Sequence, residues 1–390
     1  MRATETDALT RLLGGISAAQ FMRLHWQKSP RLIRGAVPDF NGIVDRKTLF
    51  ALAGRDDVES RLIVRGAGPK RDWTLEHGPF RAADFKAMPP TNWTLLVQGV
   101  DQHLDAGAAL LQRFAFLPFA RLDDLMISYA VPGGGVGPHF DSYDVFLLQG
   151  QGRRRWRVSD QADLRLQPDM PLKILSHFKP TAAWDLDPGD MLYLPPSIAH
   201  DGVAITECMT YSVGFRAPTT RELVERFLQH LPDVIDVADA RYGDPDLRST
   251  TTPARIDARM QRRLARMLAS VRWDRTVVDR FVGAMLSEPA ASAIFQRPHP
   301  PMSWRAFNRA VGNGATLALD RRARMLYDGD RIYVNGEDIG RIALHSALLH
   351  LADARTFTPA GDKATTALPE ATLRALYEQY TAGVVHVDPG

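Results

Sequence analysis

The sequence predicts an α+β protein in three parts: a barrel or sandwich of short strands, a helical segment, and a mixed unit of winged-helix type. Three observations carry this. Between Asp123 and Phe215 the runs LMISYAV, YDVFLLQG, RRRWRV, DMLYLP and MTYSVGF read as strands separated by Gly, Pro and Asp turns. After Ala217–Thr220, the segments TTRELVERFLQHLPDVIDV, ARIDARMQRRLARMLASV and RTVVDRFVGAMLSE show helical periodicity. Beyond the break QRPHPPMSW, helices mix with a β-wing. The expected boundaries are 1–217, 218–292 and 293–390.

Along the first part, SAAQFMRLHWQKSP reads as a helix with Ser17 as N-cap, stopped by Pro30. RLIVRG and NWTLLVQGV read as strands, and DQHLDAGAALLQRF as a helix started by Asp101. In the last part, SWRAFNRAVG, IALHSALLHLAD and EATLRALYEQYTA read as helices. ATLALD, ARMLYD, RIYVNG and a terminal GVVHV read as strands. No internal repeat or low-complexity tract is evident.

Composition limits the function classes. An apolar fraction of 45% and a charged fraction of 24% over 390 residues suit a soluble globular chain of two or three domains. A formal charge of +3 demands no nucleic-acid partner, although RRRWR and RIDARMQRRLARM concentrate arginine locally. The single cysteine, Cys208, excludes an intramolecular disulfide framework and multi-cysteine metal sites, and a reducing cytoplasmic setting is the simplest expectation. The start MRATETDALTRLLGG lacks a signal peptide's basic and apolar regions, and no apolar run suggests a membrane span.

The stretch VPGGGVGPHFDSYDVFLLQG carries the chemistry. A bare His-x-Asp spacing means little alone. Here a glycine run permits close backbone approach before His139 and Asp141, which a strand would place on one face. DPGDMLYLPPSIAH then delivers His200 at a strand end, with His177 as the rival third ligand. Two histidines and one carboxylate on one face of a metal are the ligand set of non-haem Fe(II) oxygenases. In RRRWRV, alternation sets Arg154 with Trp156 and Val158, opposite Arg153, Arg155 and Arg157. An inward arginine requires an anion, and a dicarboxylate cosubstrate would provide one. Arg216 is the alternative at a barrel end. On strand parity Tyr143 points toward the metal mouth, and Asp123 and Asp124, placed before a strand, are candidate contacts for a cationic substrate.

DDLMISYAVPGGGVGPHFDSYDVFLLQGQGRRRWRV followed by DPGDMLYLPPSIAHDGVA closely resembles the bacterial ribosomal oxygenases, Jumonji-C-type arginyl hydroxylases dependent on 2-oxoglutarate and iron(II). The resemblance is strongest from Asp123 to Phe215 and looser beyond. It implies a double-stranded β-helix (cupin) catalytic domain, a helical dimerisation region giving a homodimer, and a C-terminal winged-helix domain. It implies that His139, Asp141 and His200 bind iron, and that Arg154 pairs with the distal carboxylate of 2-oxoglutarate. Asp124 and Tyr143 match positions that hold the substrate guanidinium. Ala130 departs from the pattern where a hydroxyl residue assists the cosubstrate, and Ser128 or Ser212 are the replacements to expect. The implied reaction uses O2, gives succinate and CO2, and hydroxylates the β-carbon of an arginine in a large-subunit ribosomal protein. The alternatives are a histidyl hydroxylase of a ribosomal protein, another cupin-type metal enzyme without need of Arg154, or a winged-helix nucleic-acid-binding scaffold. Against the last, IALHSALLHLAD is largely apolar and reads as core, so sequence-specific nucleic-acid binding is not expected.

Overall fold

The computed structural model describes residues 3–66, 73–236, 239–329, 331–340, 346–359 and 368–388. The chain opens with α1 (Ala3–Leu12) and α2 (Ala18–Leu24). Ser17 caps α2 through a reciprocal box with Gln20, as the sequence anticipates, but the helix stops at Leu24, before Pro30. There follow β1 (Arg31–Ile33), α3 (Arg46–Ala53), β2 (Ser60–Arg65), β3 (Trp73–His77), α4 (Ala82–Lys86) and β4 (Trp93–Val97). The expected helix start at Asp101 is corrected. Residues Val100–Gln102 form a 3-10 turn, and α5 (Asp105–Gln112) begins after Leu104. Asp101 is buried instead, and its carboxylate accepts the Leu125 amide at 2.9 Å.

The barrel comprises β5 (Leu122–Ala130), β6 (Val145–Gln151), β7 (Arg154–Ser159), β8 (Ala182–Leu186), β9 (Met191–Leu194), β10 (Ala199–Ala204) and β11 (Cys208–Phe215). Its larger sheet runs β1-β9-β6-β11-β5-β4-β2-β3, and its smaller sheet β10-β7-β8. Period-two alternation divides the larger sheet's faces. Ile127, Tyr129, Phe146, Tyr193, Tyr211 and Phe215 point outward into a core with Leu12, Phe21, Leu49 and Phe114 of the N-terminal part. Each such buried large side chain contributes about 1.5–3 kcal/mol. The opposite face looks into the barrel, where Val145, Leu147, Leu192 and Leu194 meet Trp156, Val158 and Leu186. A polar row, Ser128–Thr210–Gln149, crosses that inner face at paired register positions.

The helical segment holds α6 (Thr220–Val234), α7 (Ala258–Ser270) and α8 (Arg275–Leu286). None of the residues of α7 is buried, and Leu268 on it is 77% exposed. The C-terminal unit comprises α9 (Trp304–Gly312), β12 (Thr316–Leu319), β13 (Met325–Asp328), β14 (Arg331–Val334), β15 (Glu337–Asp338), α10 (Ser346–Ala354), β16 (Thr356–Phe357), α11 (Glu370–Thr381) and β17 (Val385–Asp388). The first four residues of the expected helix IALHSALLHLAD lie outside the described residues; the rest forms α10, which buries Leu348 and Leu351 in the unit's own core.

One buried carboxylate ties the N-terminal part to the barrel. Asp144 is fully buried, and accepts the Tyr193 hydroxyl at 2.6 Å and the Gln27 side-chain amide at 3.0 Å. Arg121 pairs with it at 3.2 Å. Removing it strands a buried hydroxyl and a half-buried cation. Asp144→Ala is therefore expected to cost about 3–5 kcal/mol, read from the midpoint of denaturant unfolding. A loss under about 1 kcal/mol, the worth of an exposed pair, would contradict this account.

Candidate metal centre and active site

His139, Asp141 and His200 converge at the barrel mouth, with one ligand atom from each lying within 4.8 Å of the others. The backbone that brings them together differs from expectation. His139 forms an isolated bridge to His200, with mutual N–H···O bonds of 2.9 and 2.7 Å, and Asp141 lies in irregular chain rather than on a strand. His200 stands near the start of β10, a strand that AHDGVA does not advertise because its outward positions are short or polar. The glycine run serves close approach. A Cβ on Gly135 would lie 2.4 Å from the Gly202 carbonyl oxygen, so only glycine fits there.

The donor set fits a divalent metal. His139 Nδ1 lies 2.9 Å from the Gly137 carbonyl and His200 Nδ1 2.9 Å from the Ile198 carbonyl. Both rings thereby keep Nδ1 protonated and turn the Nε2 lone pair outward. His200 Nε2 is 3.6 Å from Asp141 Oδ2, beyond a hydrogen bond but suited to two ligands of one ion. Burial, then the neighbouring His139, pushes the His200 pKa well down, so the ring is a neutral donor. Burial raises that of Asp141, against the pull of His139 and a hydrogen bond from Tyr143. A cation at the three atoms would hold that carboxylate ionised.

Deeper in the barrel, Arg154 is only 4% exposed, and its Nη1 donates to Ser128 Oγ at 3.0 Å. Its Nε and Nη2, the pair on one edge of the guanidinium, are buried without a hydrogen-bond partner. The other arginines face out as parity requires. Arg153 meets Asp187 at 2.8 Å, Arg155 grips Asp185 at 2.6 and 2.8 Å, and Arg157 pairs with Asp201. Trp156 lies across β10 because Gly202 is opposite; a Cβ there would be 2.6 Å from the indole.

Asp124 is within β5 rather than before it, on the inward face with Ser128. Its Oδ2 accepts Gln98 Nε2 at 2.7 Å and the Gly99 amide at 2.9 Å, leaving Oδ1 toward Gly214. Burial, reinforced by Asp101 and Asp123, raises its pKa to about 7. Tyr143 is not on a strand, so parity is not what aims it; the residue is 41% exposed. Burial of the hydroxyl end and the charges of Asp141 and Asp124 raise the phenol's pKa and keep it protonated. Asp123 is half exposed and pairs with Arg216 at 3.0 Å, while Arg216 also reaches the Glu288 carbonyl, so neither faces the barrel. His177 is exposed beside Asp163, away from the triad.

Sequence reasoning missed Thr94. It is fully buried on β4 directly opposite Ala130, and its Oγ1 has no partner. The hydroxyl absent at position 130 thus stands on the neighbouring strand. Only the pairing of β4 with β5 reveals it. Ser212 lies one residue pair beyond Thr210 along β11, between Met126 and Leu147.

A JmjC domain family matches residues 109–223, and a ROXA-like winged-helix family matches residues 270–383. The Escherichia coli ribosomal protein uL16 3-hydroxylase is 37% identical over 320 residues, covering 82% of this chain and 84% of that protein. A probable ribosomal oxygenase of Haemophilus influenzae is 31% identical over 81% of this chain and 80% of its own length. The solved structure of the Escherichia coli ribosomal oxygenase YcfD with cobalt and 2-oxoglutarate superimposes with a TM-score of 0.79 at 34% identity, covering 95% of this chain and 98% of that one. The inward HxD…H triad, the barrel and the winged-helix unit therefore have one common explanation: the chain belongs to the JmjC ribosomal oxygenase family that includes the uL16 3-hydroxylase.

Proposed function

We propose that this protein is a 2-oxoglutarate- and Fe(II)-dependent oxygenase that hydroxylates the β-carbon of an arginine in a large-subunit ribosomal protein, uL16 being the substrate that its relative's name gives. The observation that carries the reading is Arg154. A buried guanidinium with two nitrogens unpaired requires an anion, and the Nε/Nη2 edge matches a carboxylate in bidentate geometry. His139, Asp141 and His200 would hold Fe(II), and Arg154 the distal carboxylate of 2-oxoglutarate. Ser128 orients Arg154, and Thr94 Oγ1 is a better placed second hydroxyl than Ser212. When bound, Fe(II) with 2-oxoglutarate and O2 supplies the oxidising chemistry, yielding succinate, CO2 and a hydroxylated carbon.

The residues of this chain supply position and charge. Asp124 Oδ1 would accept from the substrate guanidinium, with Tyr143 beside it at the mouth. A carboxylate there favours arginine over the histidine of the alternative reading, because a guanidinium is always charged whereas an imidazole is largely neutral at about pH 7. Leu147, Trp156 and Val158 wall the interior against water. α10 is buried on its own unit, so no sequence-specific nucleic-acid contact is proposed. The division 1–217, 218–292 and 293–390 is retained, with α8 bridging the last two: Gly336 N–H donates to Ser287 Oγ at 3.1 Å. Among the described residues no helix is long and apolar enough to cross a membrane. A cytoplasmic location is proposed from the ribosomal substrate class.

With Fe(II), 2-oxoglutarate and a peptide of the ribosomal protein, mass spectrometry should show one added oxygen on arginine and stoichiometric succinate. His200→Ala should abolish both; normal turnover by that variant would remove the triad assignment. Arg154→Ala should raise the KM for 2-oxoglutarate far more than Arg153→Ala or Arg155→Ala, by a loss on the order of 2–5 kcal/mol, and equal small effects would refute the inward role.

The raised Asp124 pKa fixes a pH dependence. Only the ionised carboxylate grips a guanidinium, so kcat/KM for the peptide should fall as pH drops through about 7. Below that limb the fall approaches tenfold per pH unit. A flat profile from pH 8 to 5.5 with the metal loaded would exclude Asp124.

The homodimer reading rests on apolar side chains that the single chain leaves uncovered, notably Leu228 (55% exposed), Leu268 (77%) and Ile256 (65%). Light scattering should report twice the chain mass, and L268E should shift it toward monomer. A wild-type monomer at micromolar concentration would contradict it.

A further inference from the structure

The winged-helix unit meets the first part of the chain through side chains that include Arg321 and Arg324, and the second of these reaches the strand that carries Asp124. Arg324, in the turn between β12 and β13, donates from Nη1 to the Leu122 carbonyl and from Nη2 to the Asp123 carbonyl, each at 2.7 Å. These are the first residues of β5, the strand that carries Asp124. We infer that Arg324 is a positioning residue for the substrate: it fixes the end of β5 so that Asp124 meets the incoming guanidinium, and through it the C-terminal unit sets substrate affinity. The inference rests on the reading of Asp124 given above.

This end of β5 needs outside support. β4 pairs with β5 only from Ile127 to Ala130, so residues 122–126 run past its end. On the other side, the pairing with β11 shifts register between Val213 and Phe215. Backbone groups left open by a short neighbour must be satisfied elsewhere. The Leu125 amide is taken by the buried Asp101, and the Leu122 and Asp123 carbonyls by Arg324. One planar guanidinium reaching two consecutive carbonyls restrains the strand's rotation about its axis, and that rotation decides where Asp124 points.

Arg324 is itself firmly held. Its amide donates to Asn335 Oδ1 at 2.9 Å, and the Asn335 amide donates back to the Arg324 carbonyl at 2.9 Å. Arg355 Nη2 bonds the Asp320 and Ala323 carbonyls of the same turn at 2.7 and 3.0 Å. The contact is therefore a strut from one rigid unit to a weakly held strand end. Burial lowers the Arg324 pKa only to about 10, so the side chain is charged at neutral pH. A second docking contact gives a control. Arg321 binds the Gln102 carbonyl at 3.0 Å and pairs with Asp105, and so joins the two units without touching β5.

The test is steady-state kinetics of the full-length iron-loaded protein with an arginine peptide of the ribosomal protein. Arg324→Gln should raise the peptide KM about fivefold or more. It should leave the 2-oxoglutarate KM and peptide-independent succinate formation within about twofold, which a general loss of folding would not. These magnitudes follow from the sensitivity of bound geometry to displacements of about 1 Å. Arg324→Lys, with a single prong, should be intermediate and carries the same readout if the glutamine variant does not fold. Arg321→Ala should keep the wild-type peptide KM. An unchanged peptide KM in the Arg324 variants overturns the inference, as does an equal rise in Arg321→Ala or in the 2-oxoglutarate KM. Asp124→Asn, assayed alongside, separates the two readings. If it leaves the peptide KM unchanged, the guanidinium reading of Asp124 fails. If it raises that KM and the Arg324 variants do not, only the strut fails.

Discussion

A guanidinium enclosed in a barrel with part of its hydrogen-bonding edge unpaired sets the terms for this molecule. Arg154 costs free energy wherever no anion meets it, and its surroundings are arranged around that cost. Ser128 takes one nitrogen and Trp156 lies 5.8 Å below the guanidinium carbon, yet Nε and Nη2 remain open. Arg155 and Arg157 on the same strand, and Arg153 just before it, are all matched by aspartates on the outer face. A segment with three neutralised arginines and one left open inside is arranged for a ligand.

The two-sheet architecture makes that arrangement possible. β7 and β10 of the small sheet carry Arg154 and His200, while the inner face of the large sheet contributes Ser128, Thr210 and Thr94. The candidate metal ligand His200 and the buried cation thus lie on neighbouring strands of one small sheet, and their two sites have opposite electrostatic demands: neutral imidazoles and an acid for a cation, an arginine for an anion. The large sheet's other face spends its apolar side chains on the N-terminal helices, and Asp144 locks that packing. A rigid outer layer leaves the inner face free to hold polar, incompletely satisfied groups, at a cost in stability that the aromatic core offsets.

Part of this was legible along the chain. Alternation in RRRWRV assigned Arg154 inward, because parity on a strand is a local property. The helices with an N-cap and a regular apolar period, such as those beginning at Ser303 and Thr219, lie where the sequence puts them. Ligand types and the glycine run located the triad, although the reason given was partly wrong: Asp141 and Tyr143 sit in irregular chain, where parity has no meaning. Asp101 looked like a helix cap and is instead a buried acceptor for β5, since capping and tertiary acceptance use the same side-chain oxygen.

The sequence by itself determined the candidate ligand set, the inward arginine, the order of strand-rich, helical and mixed parts, and the family. Those depend on residue type and short-range period. Only the tertiary structure decided which strands are neighbours, and hence that Thr94 faces the gap at Ala130 and that β5 outruns β4. It also decided that Arg216 braces Asp123 rather than entering the barrel, and that Arg324, 200 positions from Asp124, holds the same strand end. Strand pairing joins residues far apart in the chain through backbone hydrogen bonds that any residue except proline can make in full, and the partner of an arginine is set by which elements lie beside it, so neither leaves a mark on composition or period.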